Sequence, residues 1–211
     1  MQRSTILCLT TSLFFLALVS CGSSKVTAGY VEKPLTTTVY DVLYFSDLQT
    51  DYVYKANIAI YGNALTGIFI AKKINDKTHR VVFTTEFGNK LIDCEISPTD
   101  FKVNAIVPEL DRKIIVNTLR EDFRLLLREQ FVVQKQFEDT ENTIYQSADG
   151  KNSNYLFFSK KAKKLVKIVN ASPRKEKINL SFTSEKDIFA EDITIKHYNI
   201  KLTIVLHYFK P

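Results

Sequence analysis

Arg80-Val81-Val82-Phe83-Thr84-Thr85-Glu86-Phe87-Gly88-Asn89-Lys90-Leu91-Ile92-Asp93-Cys94-Glu95-Ile96 is the stretch that decides the fold. Val81, Phe83 and Phe87 alternate with Val82, Thr84 and Glu86, and then Ile92, Cys94 and Ile96 alternate with Leu91, Asp93 and Glu95. A period of two places successive side chains on opposite faces of a strand, so each run has one face buried and one wet. Gly88-Asn89, between the runs, tolerates the positive φ of a tight hairpin. The stretch predicts two antiparallel neighbours.

The same pattern extends both ways. Ala56, Ile58 and Ile60 alternate with Lys55, Asn57 and Ala59, Ile68 and Ile70 share one face of a run ending at Lys72-Lys73, and Asn75-Asp76-Lys77 supplies a turn. Phe101, Val103 and Ala105 alternate with Lys102, Asn104 and Ile106, so residues 52–107 predict a five-stranded meander. From Pro108 to about Gln130 the period changes: Leu110, Ile114, Leu119, Phe123, Leu126 and Leu127 fall at helical spacing, with Pro108 suited to a first turn. Such a helix either plugs the sheet or covers a cavity.

Strands resume at Thr143–Ala148, Tyr155–Ser159 and Leu165–Val169, then at Ile178, Leu180 and Phe182. Tyr198, Ile200, Leu202, Ile204 and Leu206 make the longest alternation. The expected fold is mainly β: a curled antiparallel sheet, a half-barrel of about ten strands, packed around one long helix.

The amino terminus carries a different signal. Arg3 precedes an apolar run from Leu13 to Val19, the layout of a short secretory signal, and the run falls short of the roughly 18–20 residues a bilayer span needs. Leu18-Val19-Ser20-Cys21 resembles the lipobox of bacterial lipoproteins. That resemblance implies cleavage before Cys21, a diacylglyceryl thioether on its sulfur and an acyl chain such as palmitate on its new amino group. The expected organisation is a signal peptide over 1–20, the lipidated cysteine and a flexible tether over 21–38, and a single domain over 39–211. No Asp directly follows Cys21, which favours an outer-membrane lipoprotein facing the periplasm.

Composition narrows the chemistry. Of 29 Lys and Arg, Arg3 leaves with the signal, so 28 face 23 Asp and Glu, a net charge of +5 on interleaved residues that predicts no nucleic-acid partner. Cys8 lies in the signal and Cys21 is the lipid site, so Cys94 stands alone and reads as a small buried residue. His79, His197 and His207 are isolated, with no metal-ligand spacing, glycine-rich phosphate loop or nucleophile-elbow serine, so no enzyme, metal or organic cofactor is expected. A hydrolase would need a Ser/His/carboxylate cluster around His79 or His197. Lys160, Lys161, Lys163 and Lys164 form a basic hairpin loop. It either blunts a sheet edge or faces anionic headgroups, at roughly 1 kcal/mol per basic residue.

The order of leash, hairpins, helix, hairpins and long last strand resembles the LolA/LolB-like half-barrel proteins of lipoprotein localisation. The segments that carry the likeness are Leu65-Thr66-Gly67-Ile68-Phe69-Ile70, Arg80 to Asp93, and the closing run Asn199–Phe209. The resemblance implies a concave apolar face that accepts acyl chains of lipids or lipoproteins beneath a helical lid. On the first meander, Ile58, Ile60, Ile68, Ile70, Phe83, Phe101 and Val103 are expected to line it. Phe123 would join from the helix, and Leu180, Phe182, Ile200, Leu202 and Ile204 from the later strands. The function so implied is a membrane-anchored protein of envelope lipid or lipoprotein trafficking. The alternative is a non-catalytic scaffold lipoprotein with a packed core, contacting other envelope proteins.

Overall fold

The alternating segments become strands with short antiparallel connections. The computed structural model describes residues 25–185 and 188–209. After a turn of 3-10 helix at Lys25–Thr27 come β1 (Val31–Lys33) and β2 (Val39–Asp41). The meander follows as β3 (Asp51–Ile60), β4 (Asn63–Asn75), β5 (Thr78–Thr84), β6 (Lys90–Ile96) and β7 (Phe101–Ile106). Helix α1 (Lys113–Leu126) separates it from β8 (Gln130–Val132), β9 (Lys135–Glu138) and β10 (Asn142–Asp149). The chain closes with β11 (Asn152–Ser159), β12 (Lys164–Ala171), β13 (Glu176–Thr183), β14 (Asp192–His197) and β15 (Leu202–Tyr208).

Thirteen strands form one antiparallel sheet in the order β1-β9-β10-β11-β12-β13-β14-β15-β3-β4-β5-β6-β7, and β2 pairs with β8 separately. The two halves meet where β15 runs beside β3, from Leu202 opposite Ile60 to Tyr208 opposite Tyr54. Strands β1 and β7 stay at opposite edges, so the sheet is not closed into a barrel.

Thirteen strands replace the ten expected, the additions being β1, β9 and β14 of three, four and six residues. Three or four residues carry too little alternation to stand out, whereas β14 alternates as β7 does and sequence reasoning missed it. Residues 25–38, expected in a tether, are docked in this structure. Val26 and Thr27 are buried, β1 pairs with β9, and Thr36 donates its backbone N–H and its hydroxyl to Gln136 Oε1 at 3.0 and 2.8 Å. The last strand is shorter than its alternation. Tyr198–Lys201 form the β14–β15 turn, and β4, with 13 residues, is the longest strand.

Helix α1 is also shorter than its apolar spacing. Asp111 folds back onto Val107 with a 3.1 Å backbone bond, and Arg112 is extended, so the helix starts five residues after Pro108. Arg112, the N-cap residue, makes no capping side-chain bond, and Ile114, Ile115, Val116 and Thr118 are β-branched, which lowers helix propensity. Packing supplies the stability instead. Phe123, Leu125 and Leu126 are buried against the sheet, and Phe69 and Phe123 rings lie 5.7 Å apart.

The concave side of the sheet is filled unevenly. One half is solid with aromatic rings: Phe45 lies 4.9 Å from Tyr52 and 5.9 Å from Tyr54, while Tyr44 and Phe182 are 4.9 Å apart. The Tyr44 and Tyr54 hydroxyls donate to Leu165 O at 2.8 Å and Ala190 O at 2.9 Å, so those phenols are buried without orphan donors. Full burial of each such ring contributes about 1.5–3 kcal/mol. The other half is richer in aliphatic side chains, with Phe69, Phe83 and Phe123 among them, and it is there that space remains.

Candidate functional site

Strand β3 runs from the solid half into the open one. Tyr52 and Tyr54 face the rings, and the same face continues through Ala56, Ile58 and Ile60. These last three, with Leu202, Ile204 and Leu206 of β15 and Ile195 of β14, form one wall of a cavity of about 140 Å³. Leu65, Phe69, Phe83 and Ile92 of β4 to β6 form a second wall. Leu110, Ile114, Ile115, Leu119, Phe123 and Leu126 roof it. Only Tyr61 and Thr118 among the lining side chains carry a polar atom, and Thr118 Oγ1 donates to Ile114 O at 2.9 Å. A void lined this way offers water few hydrogen-bond partners.

The cavity opens where the β3–β4 turn, the β14–β15 turn and the start of α1 converge. Tyr61 and Ile114 are more than 60% exposed although both line it, and Leu65 is 41% exposed. Large apolar side chains at an opening present a greasy rim to whatever enters. Gly67 keeps the opposite wall thin. A Cβ there would lie 2.0 Å from Thr84 O and 2.8 Å from Phe83 Cε2, so the bare backbone lets the Phe83 ring lie across β4.

Of the residues that sequence assigned to the lining, Ile58, Ile60, Phe83, Phe123, Ile200, Leu202 and Ile204 are brought together there. Ile68 and Ile70 stand on the other face of β4, where they are half-buried, while Gly67, Phe69 and Ala71 turn inward. Phe101 and Val103 lie on edge strand β7, outside the lining, and Val103 is exposed. Leu180 and Phe182 face inward from β13 but pack into the solid half. Sequence reasoning missed Phe69, Ile195, Ile92, Leu206 and most of the helical roof. The register of the Tyr61-Gly62 turn would have given Phe69, because Ile60 opposite Asn63 places Tyr54 opposite Phe69.

One polar pair interrupts the roof. Asp122, the helix neighbour of Phe123, is fully buried, and its Oδ1 lies 2.8 Å from Nε2 of buried His197 on β14. The approach is badly angled for a hydrogen bond, and neither Asp122 oxygen has another partner. Burial pushes the Asp122 carboxyl above its ordinary range, and His197 opposes that shift. A histidine held by a carboxylate resembles part of a hydrolytic arrangement, but no serine or cysteine lines the cavity or the depression beside it. Burial also pushes the Cys94 thiol up to about 12, the opposite of an activated nucleophile.

A second buried histidine joins the far end of the meander to the chain after α1. His79 Nε2 lies 2.9 Å from Phe45 O and 3.6 Å from Glu129 Oε1, and Lys73 Nζ reaches Glu129 at 2.7 Å. Exposed His207 contacts Asp192. Among the described residues no group of three or more His, Cys, Asp or Glu could hold a metal, and no helix is long and apolar enough to cross a membrane.

The basic hairpin lies between β11 and β12. Lys160 Nζ bonds Glu138 at 3.0 Å and Asp139 O at 2.8 Å, and Lys164 Nζ bonds Ser184 O and Glu185 O at 3.1 Å each. Lys161 and Lys163 are exposed, and Lys163 takes φ +54 to close the turn. Cys21 lies outside the described residues.

No family model matches the sequence, and no curated protein does. Among solved structures, a LolA superfamily protein from Nitrosomonas europaea superposes with a TM-score of 0.50 at 10% identity, covering 79% of this chain and 87% of that one. A DUF1329 family protein from Desulfovibrio piger gives 0.42 at 10% identity, covering 76% and 84%. A domain described as an outer membrane lipoprotein-sorting protein, from Vibrio parahaemolyticus, gives 0.43 at 8% identity, covering 76% and 83%. The first of these shows a shared architecture: this chain has the LolA-like fold, an open curled sheet over a helix.

Proposed function

We propose that the protein is a non-enzymatic, membrane-anchored binding protein of the bacterial cell envelope that holds an acyl chain of a lipid or lipoprotein in the cavity under α1. The observation that carries this reading is the cavity itself: lined almost wholly by aliphatic and aromatic side chains, and open at one end. Each methylene moved from water into such a space gains about 0.8 kcal/mol. A void of about 140 Å³ matches the ~150 Å³ that houses a benzene-sized guest. It accepts the end of one chain with α1 in place, and a longer segment requires the helix to shift outward. The lipobox resemblance at Cys21 supports anchoring to the outer membrane on the periplasmic side, and exposed Lys161 and Lys163 would meet anionic headgroups there.

Native mass spectrometry of the chain carrying Cys21→Ala, purified from its own cell without detergent, tests the reading. Bound species that extract into organic solvent as phospholipid or lipopeptide would support it and identify the cargo. A bare protein that also takes up no added fatty-acyl probe would overturn it. The scaffold reading would then stand, favoured by the mostly exposed edge strand β7.

A further inference from the structure

The chain that leads into the sheet is strapped across its outer face. Val26 is buried in a cluster with Ile144, Tyr155, Phe157, Val169 and Ala171 of β10 to β12, and the Tyr30 ring meets the Phe157 ring edge-on at 6.2 Å. That cluster lies on the face turned away from α1. Leu156, between Tyr155 and Phe157, and Ile168, before Val169, belong to the main core with Phe123 of the helix, and successive side chains of a strand point to opposite faces. Pairing of β1 with β9 fixes the far end of the strap. Without residues 25–30 the cluster would be bare apolar surface on the back of the sheet.

Cys21 precedes Lys25, the first described residue, by four positions. Four residues reach at most about 14 Å, whereas an undocked tether over 21–38 would reach ~60 Å. A lipid on Cys21 therefore brings the back of the sheet close to the bilayer. The basic hairpin stands beside the strap: Lys160 Nζ bonds Glu138 at 3.0 Å, and Glu138 is the cross-strand partner of Val31. Exposed Lys161 and Lys163 of that hairpin complement anionic headgroups. The antiparallel order puts this hairpin and the Tyr61-Gly62 turn at opposite ends of the strands. Resting on the anchoring part of the reading above, we infer that the outer face of β10–β13, with its strap, is the membrane-facing surface of the anchored protein. The sheet then stands between that bilayer and the cavity under α1. Cargo reaches the mouth at Tyr61 through the aqueous compartment, not straight from the anchoring leaflet.

The lipidated full chain tests this in vesicles of phosphatidylethanolamine and phosphatidylglycerol that carry a nitroxide quencher on some headgroups. One fluorophore is placed through Ser181→Cys, exposed on the outer face of β13 opposite Lys167, or through Tyr61→Cys at the mouth. Cys94 is buried with its thiol pushed up to about 12, so it stays unlabelled. The Ser181 label is expected to lose most of its emission and the Tyr61 label little. A Gly-Ser spacer of about twelve residues between Ser24 and Lys25 adds ~20 Å of reach. It should restore the Ser181 emission and leave flotation with the vesicles unchanged. Equal loss at both labels, or greater loss at Tyr61, would overturn the orientation and leave the anchoring and acyl-chain readings standing. Ser181 quenching that survives the spacer would overturn the strap as its cause. A chain that does not float with the vesicles would remove anchoring and orientation together.

Discussion

Asp122 Oδ1 and His197 Nε2 stand 2.8 Å apart with both side chains sealed from solvent, and together they tie the covering helix to strand β14. They are the polar exception in an apolar interface. Asp122 sits beside Phe123 of the cavity roof, and His197 ends β14, two residues after Ile195 of the cavity wall. Movement of α1 away from the sheet must therefore separate a buried carboxylate from its histidine.

Removing one partner leaves the other buried alone, which costs about 3–5 kcal/mol. Asp122→Ala should lower the unfolding free energy by about that much. Replacing both, as Asp122→Leu with His197→Phe, should return the protein to within about 1 kcal/mol of the parent. Urea denaturation of the two single variants and the double variant measures the coupling. Strictly additive losses would mean the two groups do not interact.

His79 gives the fold a pH dependence whose sign is fixed by burial. Desolvation depresses its pKa below the ordinary 6.5, against the pull of Phe45 O and Glu129, with Lys73 adding to the depression. Below about 6.5 the unfolded chain therefore takes up the proton more readily than the folded one. Stability is fully present at neutral pH and above, and it falls as pH drops from 6.5 towards the lower folded value. His79→Gln keeps a donor for Phe45 O and cannot titrate. Its urea midpoint should fall less steeply than the parent's between pH 7.5 and 5.5, and identical slopes would contradict the assignment.

Gly67 is a demand of the wall rather than of a turn. Its absent Cβ would sit 2.0 Å from the Thr84 carbonyl oxygen, and a backbone atom cannot give way as a flexible side chain would. Gly67→Ala should cost about 3 kcal/mol. It should also displace the Phe83 ring, so loss of acyl-probe binding should accompany the lower melting temperature.

Much of this fold is written in local pattern. The meander expected over 52–107 occupies Asp51–Ile106, because most of its strands alternate and three of its four turns carry Gly or Asn. The face of β4 was less legible because Ile68, Phe69, Ile70 and Ala71 are all apolar, so alternation cannot choose between the two parities. The choice is made by register across Tyr61-Gly62 and by packing of Phe69 on Phe123. Ile200 looked like strand and instead closes a turn at the cavity mouth. The Asp122–His197 pair is 75 residues apart in sequence, and no local signal joins it. Whether a curled sheet is hollow depends on how side chains from distant strands and the helix fill its concave side, which only the assembled layers decide.

Ala56 is the residue best placed to test whether the hollow matters. It is 1% exposed, lines the cavity, and lies opposite Gly67 on one side and Leu206 on the other. A phenyl ring built there would occupy a void of about 140 Å³, close to the ~150 Å³ that accepts a benzene. Ala56→Phe should fold, with a stability unchanged or raised by about 0.5–2 kcal/mol, as cavity filling gives elsewhere. Its affinity for a fluorescent acyl probe should drop by at least about tenfold. Thr118→Phe blocks the same space from the helix and guards against a local clash at Ala56. If both variants are folded by circular dichroism and both still bind the probe at parental affinity, the acyl chain does not lie beneath α1. A packed core, by contrast, would reject both rings and unfold, so the pair of measurements separates a container from a scaffold.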